Sequence, residues 1–179
     1  MTVAIGERSK VAKPRRRERA ILFSVGSSVF AIEAGVVQEI CSTDGLAGSA
    51  SDLNLPALPK VKHMLRRRNR TYYVVNACAH FRMKPSRPAL VLILRNSRAA
   101  VLVDAVERMI EFPSLQALPR AFCGEERIWY RGLALLDDQV VPLVNPAAFL
   151  SDAELEIVVA ARPAASRAAA LDDRGVLRT

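Results

Sequence analysis

From Ala20 to Cys41 the chain reads AILFSVGSSVFAIEAGVVQEIC, and no other stretch confines the fold as tightly. Ile21 to Val25 are apolar apart from one serine, and Gly26-Ser27-Ser28 is a turn of the kind that joins hairpin strands. Val29 to Glu33 resumes as strand, Ala34-Gly35 breaks the run, and Val36 to Cys41 starts a third strand. Side chains alternate across a strand, so Glu39 falls on the face opposite Ile40 and reads as an acid on a solvated face.

Strands and turns continue beyond this stretch. Ser42 to Asn54 is rich in Gly, Ser and Asp and reads as a surface loop. Pro56 and Pro59 keep the next segment extended, and Lys60 to Leu65 is a short turn or strand. Thr71 to Asn76 is dense in β-formers, and Asn69 just before it suits a turn position with positive φ. Ala77 to Pro88 is a polar, basic connector. Ala89 to Leu94 and Ala99 to Val103 form a hairpin about Asn96-Ser97, and the chain stays extended towards Phe112-Pro113. Leu115 to Glu126 reads as loop, and Ile128 to Leu136 and Gln139 to Val144 are strands joined at Asp137-Asp138. Pro146 suits a first helical position, and Ser151 with Glu154 has capping-box spacing ahead of a short helix.

Charge is unevenly placed on this chain of net charge +8. Residues 1–19 carry seven basic side chains against Glu7 and Glu18 and read as a disordered basic tail. Lys60, Lys62 and Arg66, Arg67, Arg68 and Arg70 form a second cluster with no acid among them. Such clusters attract anionic partners: nucleic acid, a membrane surface or an acidic protein face.

Catalytic signatures are missing. No nucleophile elbow, phosphate-binding loop, dinucleotide fingerprint or zinc motif occurs. Cys41, Cys78 and Cys123 lie far apart without a CxxC, which argues for reduced thiols and against a metal or disulfide framework. His63 and His80 sit among polar and basic neighbours and read as surface histidines, while Asp137-Asp138 reads as a turn rather than a carboxylate pair. No cofactor, metal or small-molecule substrate is expected, and neither is an export signal or a membrane-spanning run.

An opening strand pair followed by Val37-Gln38-Glu39-Ile40 resembles the start of the CheW-like coupling domain of bacterial chemotaxis systems. Members of that family typically carry Asn-Leu-Arg-Gly, a short strand, then Pro-x-x-Asp-Leu. Laid over this chain, Arg68 takes the place of the arginine and Asn69 that of the glycine, whereas Tyr73 and Asn76 stand where the family has proline and aspartate. Val101 to Val106 resembles the family's Val-Val-Asp-Gly-Val, with Ala105 for glycine, and Gly132 to Leu136 and Val140 to Asn145 resemble its last two strands.

The resemblance implies an all-β fold with minor helix, built as two intertwined five-stranded SH3-like β-barrel lobes. Lobe one is expected over about 20–82 and lobe two over about 83–150. The remainder, 151–179, would be a short C-terminal helix and mobile tail. It also implies a non-catalytic cytoplasmic adaptor that couples chemoreceptor cytoplasmic helices to the regulatory domain of a sensor histidine kinase, meeting the membrane only through receptors. Val37, Glu39, Arg68 and Asn69 are then the expected partner-facing residues of lobe one, and Val103 and Val106 line an apolar groove for a receptor helix. The competing reading is a small β-barrel that binds single-stranded nucleic acid through Arg66–Arg70 and Tyr72, since basic residues beside a ring are the chemistry of such sites.

Overall fold

The computed structural model describes residues 19–46, 50–53, 55–111 and 115–161. Of the basic tail expected at 1–19, residues 1–18 lie outside these residues and Arg19 instead opens the first strand; the tail expected after the C-terminal helix lies outside them from residue 162.

The opening stretch folds as read. Strand β1 (Arg19–Val25) turns at Gly26, φ +58°, into β2 (Ser28–Glu33). A 3-10 turn at Ala34–Val36 then leads to β3 (Val37–Ser42). The loop expected at 42–54 contains a further short strand, β4 (Ala50–Asp52), which pairs with β5 (Val61–Arg67). β5 returns through a two-residue turn as β6 (Arg70–Asn76), and both turn residues have positive φ, Arg68 at 45° and Asn69 at 61°. That combination is the type I′ geometry, which follows the right-handed twist of the flanking strands.

The polar connector opens with a single helical turn and runs on without regular structure to Ala89. Asn76 caps a four-residue helix, α1 (Ala77–His80), its side-chain oxygen accepting from the Ala79 N–H at 3.2 Å. β7 (Leu90–Leu94) and β8 (Ala99–Val103) form the next hairpin, and β9 (Ala105–Glu111) follows after Asp104. A second short helix, α2 (Glu126–Trp129), precedes the hairpin of β10 (Tyr130–Leu136) and β11 (Gln139–Val144). Asp137 and Asp138, at φ 47° and 65°, form its turn, in keeping with the turn reading. α3 (Asp152–Ala160) starts with the capping box expected at Ser151 and Glu154.

Two sheets result, ordered β10-β11-β2-β1-β9 and β3-β7-β8-β6-β5-β4. The fold is all-β with minor helix, as expected, with one five-stranded and one six-stranded sheet. The expected division at 82/83 does not follow the sheets: β3 to β8 make one, while β1 and β2 join β9 to β11 in the other. The reason lies in β1, which is buried on both faces from Ala20 to Phe23 and therefore needs strands on both edges and packing on both sides. β2 and β9 supply the edges. Two parallel pairings between distant segments, β11 with β2 and β6 with β8, complete the sheets.

The apolar residues divide to match. A central core joins both sheets through residues such as Phe23, Ile32, Tyr73 and Val101. The six-stranded sheet has a second core on its other face, built on Leu65, Tyr72, Val91 and Ile93. The five-stranded sheet likewise has its own, around Leu22, Ala31, Val141 and Leu143.

Candidate interaction surface

β3 carries the most specific expectation, and it is bulged. Its register against β7 shifts between Val37 and Glu39, and a bulge re-aims the side chains beside it. Val37 points into the central core and is 8% exposed. Glu39 and Cys41 are half-buried, while Ile40 is the residue turned outward, 40% exposed. Glu39 and Ile40 do take opposite faces, but the acid is on the sheltered one. Arg67 explains this: its Nη2 donates to Glu39 Oε1 at 2.9 Å, with the two side chains 35% and 29% exposed.

β3 and β5 are separated in the sheet by β7, β8 and β6. In a flat sheet that separation would be about 19 Å at the usual strand spacing. The ion pair therefore closes the curled six-stranded sheet over its own core. Burial pushes the Cys41 thiol up, and Arg67 beside it partly offsets the effect.

Arg67, and not the neighbouring Arg68 on which the resemblance laid the family arginine, is the one that reaches Glu39. Arg68 and Asn69 are exposed in the β5–β6 turn and do not form this pair. The signal was present in the alternation, because Leu65 and Arg67 share the face of β5 that lines the second core. Val103 is fully buried in the central core and cannot line an open groove, whereas Val106 is half-buried on β9 opposite Phe23. The expected six residues thus do not form one surface. Glu39, Arg68 and Asn69 are near one end of the six-stranded sheet, and Val37 and Val103 pack inside.

Asp104, between Val103 and Val106, has a positioning role. Its Oδ2 accepts from the Gly26 N–H at 2.6 Å and its Oδ1 from the Ser86 hydroxyl at 2.5 Å. The Asp104 N–H in turn donates to the Ser24 carbonyl at 2.9 Å. One carboxylate thereby ties the β1–β2 turn and the segment after α1 to the start of β9.

His80 is not a surface residue. It is 4% exposed, packed against the rings of Phe81, Trp129 and Phe149, and its Nε2 has no hydrogen-bond partner among the described residues. Burial, and then the charge of Lys60 near its Nδ1 at 3.5 Å, lower its pKa to about 3. Lys60 also pairs with Glu154 of α3 at 2.7 Å. Burial works against ionisation of Glu154, but hydrogen bonds from Lys60 and Ser151 prevail and hold its carboxyl below the usual range. The cluster fastens α3 to α1. The sequence hid this because both ends of the contact look polar.

Tyr72 and Tyr73 take opposite faces of β6, as alternation requires, and each is 1% exposed. Neither ring is open for a base to stack on, which removes the platform on which the nucleic-acid reading depended. Among the described residues no group of three or more His, Cys, Asp or Glu could hold a metal ion. No helix among them is long and apolar enough to cross a membrane.

Comparison with known families decides the identity. The family model described as CheW-like domain matches residues 19–154. The chain belongs to the CheW-like domain family. Among solved structures it is similar to the scaffolding protein TtCheW of Thermoanaerobacter tengcongensis, at 16% identity and a TM-score of 0.64, covering 78% of this chain and 96% of that one. Comparison with curated protein sequences gave no match. Asparagine is among the residues that best cap a helix start, which suits Asn76 to its place ahead of α1.

Proposed function

We propose that this CheW-like protein is a non-catalytic cytoplasmic adaptor that couples chemoreceptor cytoplasmic tips to a sensor histidine kinase. The family match over 19–154 carries the reading. The geometry supports it: two sheets sharing one core make a rigid body with well-separated faces, which a bridge between two partners needs. Glu39 with Arg67, and the exposed Arg68 and Asn69 beside them, form the partner-facing end of the six-stranded sheet. Exposed Ile40 supplies apolar contact area next to them. Val106 is kept as the second-lobe candidate, and Val103 acts behind it as packing.

The test is co-sedimentation of the purified protein with receptor cytoplasmic fragments and chemotaxis kinase from its own organism, at two salt concentrations. A ternary assembly that requires all three components is expected. Kinase and receptor fragments that sediment identically with and without this protein would sink the coupling role.

A further inference from the structure

A groove of about 800 Å³ lies where the β7–β8 turn meets β10 and the start of α3. It is separate from Glu39, Arg68, Asn69 and Val106, none of which lines it. Arg70, Arg95, Arg98 and Arg131 stand around it. Backbone pairing brings them together: the Tyr73 N–H donates to the Arg98 carbonyl at 2.7 Å, and Arg98 Nη1 donates to the Thr71 carbonyl at 3.3 Å. The turn after β7 is thereby held beside the start of β6, where Arg70 sits.

The charge of this groove is not neutralised from within. Among the described residues two acids line it, Glu33 and Asp152. Glu33 is occupied by Arg131 at 2.8 Å. The side chains of Arg70 and Arg95 are exposed and make no hydrogen bond or ion pair with another described residue. The groove also has an apolar side, formed by Val36, Leu150 and Leu155, which are half-buried against the central core. No aromatic ring among the described residues lines it, whereas a site for single-stranded nucleic acid stacks bases on such rings.

We propose that this groove docks an acidic peptide segment of a protein partner, with carboxylates on Arg70, Arg95 and Arg98 and apolar side chains against Val36, Leu150 and Leu155. Guanidinium groups pair with carboxylates in planar, two-pronged geometry, and clustered arginines speed the encounter with an acidic segment. The inference stands on charge and shape at this site and does not rest on the coupling role.

The experiment is fluorescence anisotropy with a labelled peptide of glutamate and leucine, beside a glutamate and glutamine peptide of equal charge and an oligothymidylate. Arg70→Glu with Arg95→Glu is the variant, because neither side chain supports the fold. Arg98→Glu alone is the second variant, and thermal melting checks that both are folded. The full chain should bind the glutamate–leucine peptide more tightly than the glutamine version. The double variant should lose about tenfold or more, in line with the cost of reversing charges at a complementary interface. The proposal is overturned if the two peptides bind equally, if the variants bind as the parent does, or if oligothymidylate binds as tightly and loses as much.

Discussion

Glu39 and Arg67 meet at 2.9 Å although three strands of the same sheet lie between theirs. The contact is a closure of the curled sheet, and it places a partly exposed charge pair at the end of an apolar core. Because both side chains are about one-third exposed, water screens the attraction, and a double-mutant cycle through Glu39→Ala and Arg67→Ala should give a coupling of at most about 1 kcal/mol. The exchange Glu39→Arg with Arg67→Glu should restore the melting temperature lost by either single change without restoring partner binding. Recovery of both would make the pair purely structural.

Arg68 occupies a turn position with φ 45° that its side chain does not favour. Replacing Arg68-Asn69 by Asn-Gly supplies the residues preferred in a type I′ turn and should stabilise the fold by about 1 kcal/mol, read as a higher urea midpoint at unchanged slope. A lower midpoint would mean that Arg68 makes a contact worth more than its backbone strain.

His80 makes stability depend on acid in a definite direction. Its folded pKa, about 3, lies below the unfolded value near 6.5, so the unfolded chain takes up the proton first. The neutral ring's contribution is fully present above pH 6.5 and is lost progressively as pH falls towards 3. In that window the slope attributable to His80 approaches about 1.4 kcal/mol per pH unit. His80→Phe fits the surrounding ring cluster and cannot titrate. The difference between parent and variant denaturation curves should therefore carry this slope between pH 6.5 and 4, and parallel curves would contradict the burial.

Asp104→Asn converts one of two acceptor oxygens into an amide that faces a donor. With both the Gly26 N–H and the Ser86 hydroxyl aimed at this side chain, the change should cost about 1–3 kcal/mol in chemical denaturation. Adding Ser86→Ala should recover part of that loss, because it removes one of the opposed donors. An unchanged midpoint for Asp104→Asn would show that the ties are dispensable.

Much of this was legible from residue order alone. Gly26, Asn69, Asn96 and Asp137-Asp138 all sit at positive φ where turns were read, since these residues tolerate the left-handed region best. The capping box at Ser151 and Glu154 is equally local. The site was less legible. Arg66, Arg67 and Arg68 are chemically identical in the sequence, and only the curl of the sheet singles out Arg67 by bringing Glu39 to it.

The boundary between the two kinds of knowledge follows sequence separation. Within a few residues, backbone sterics, alternation and side-chain capping determine strand, turn and helix start, and the sequence by itself settled these along with the β-rich class. Which sheet receives each hairpin was decided by the tertiary structure, as when the β1–β2 hairpin takes β9 on one edge and β11 on the other rather than the β3 that follows it. Those choices depend on burying both faces of β1 at once. The same long-range packing took His80 from a polar stretch into a cage of rings, and set Arg70 beside Arg95 and Arg98. Such pairings are favoured by total buried area and total charge, quantities that exist only after distant segments have met.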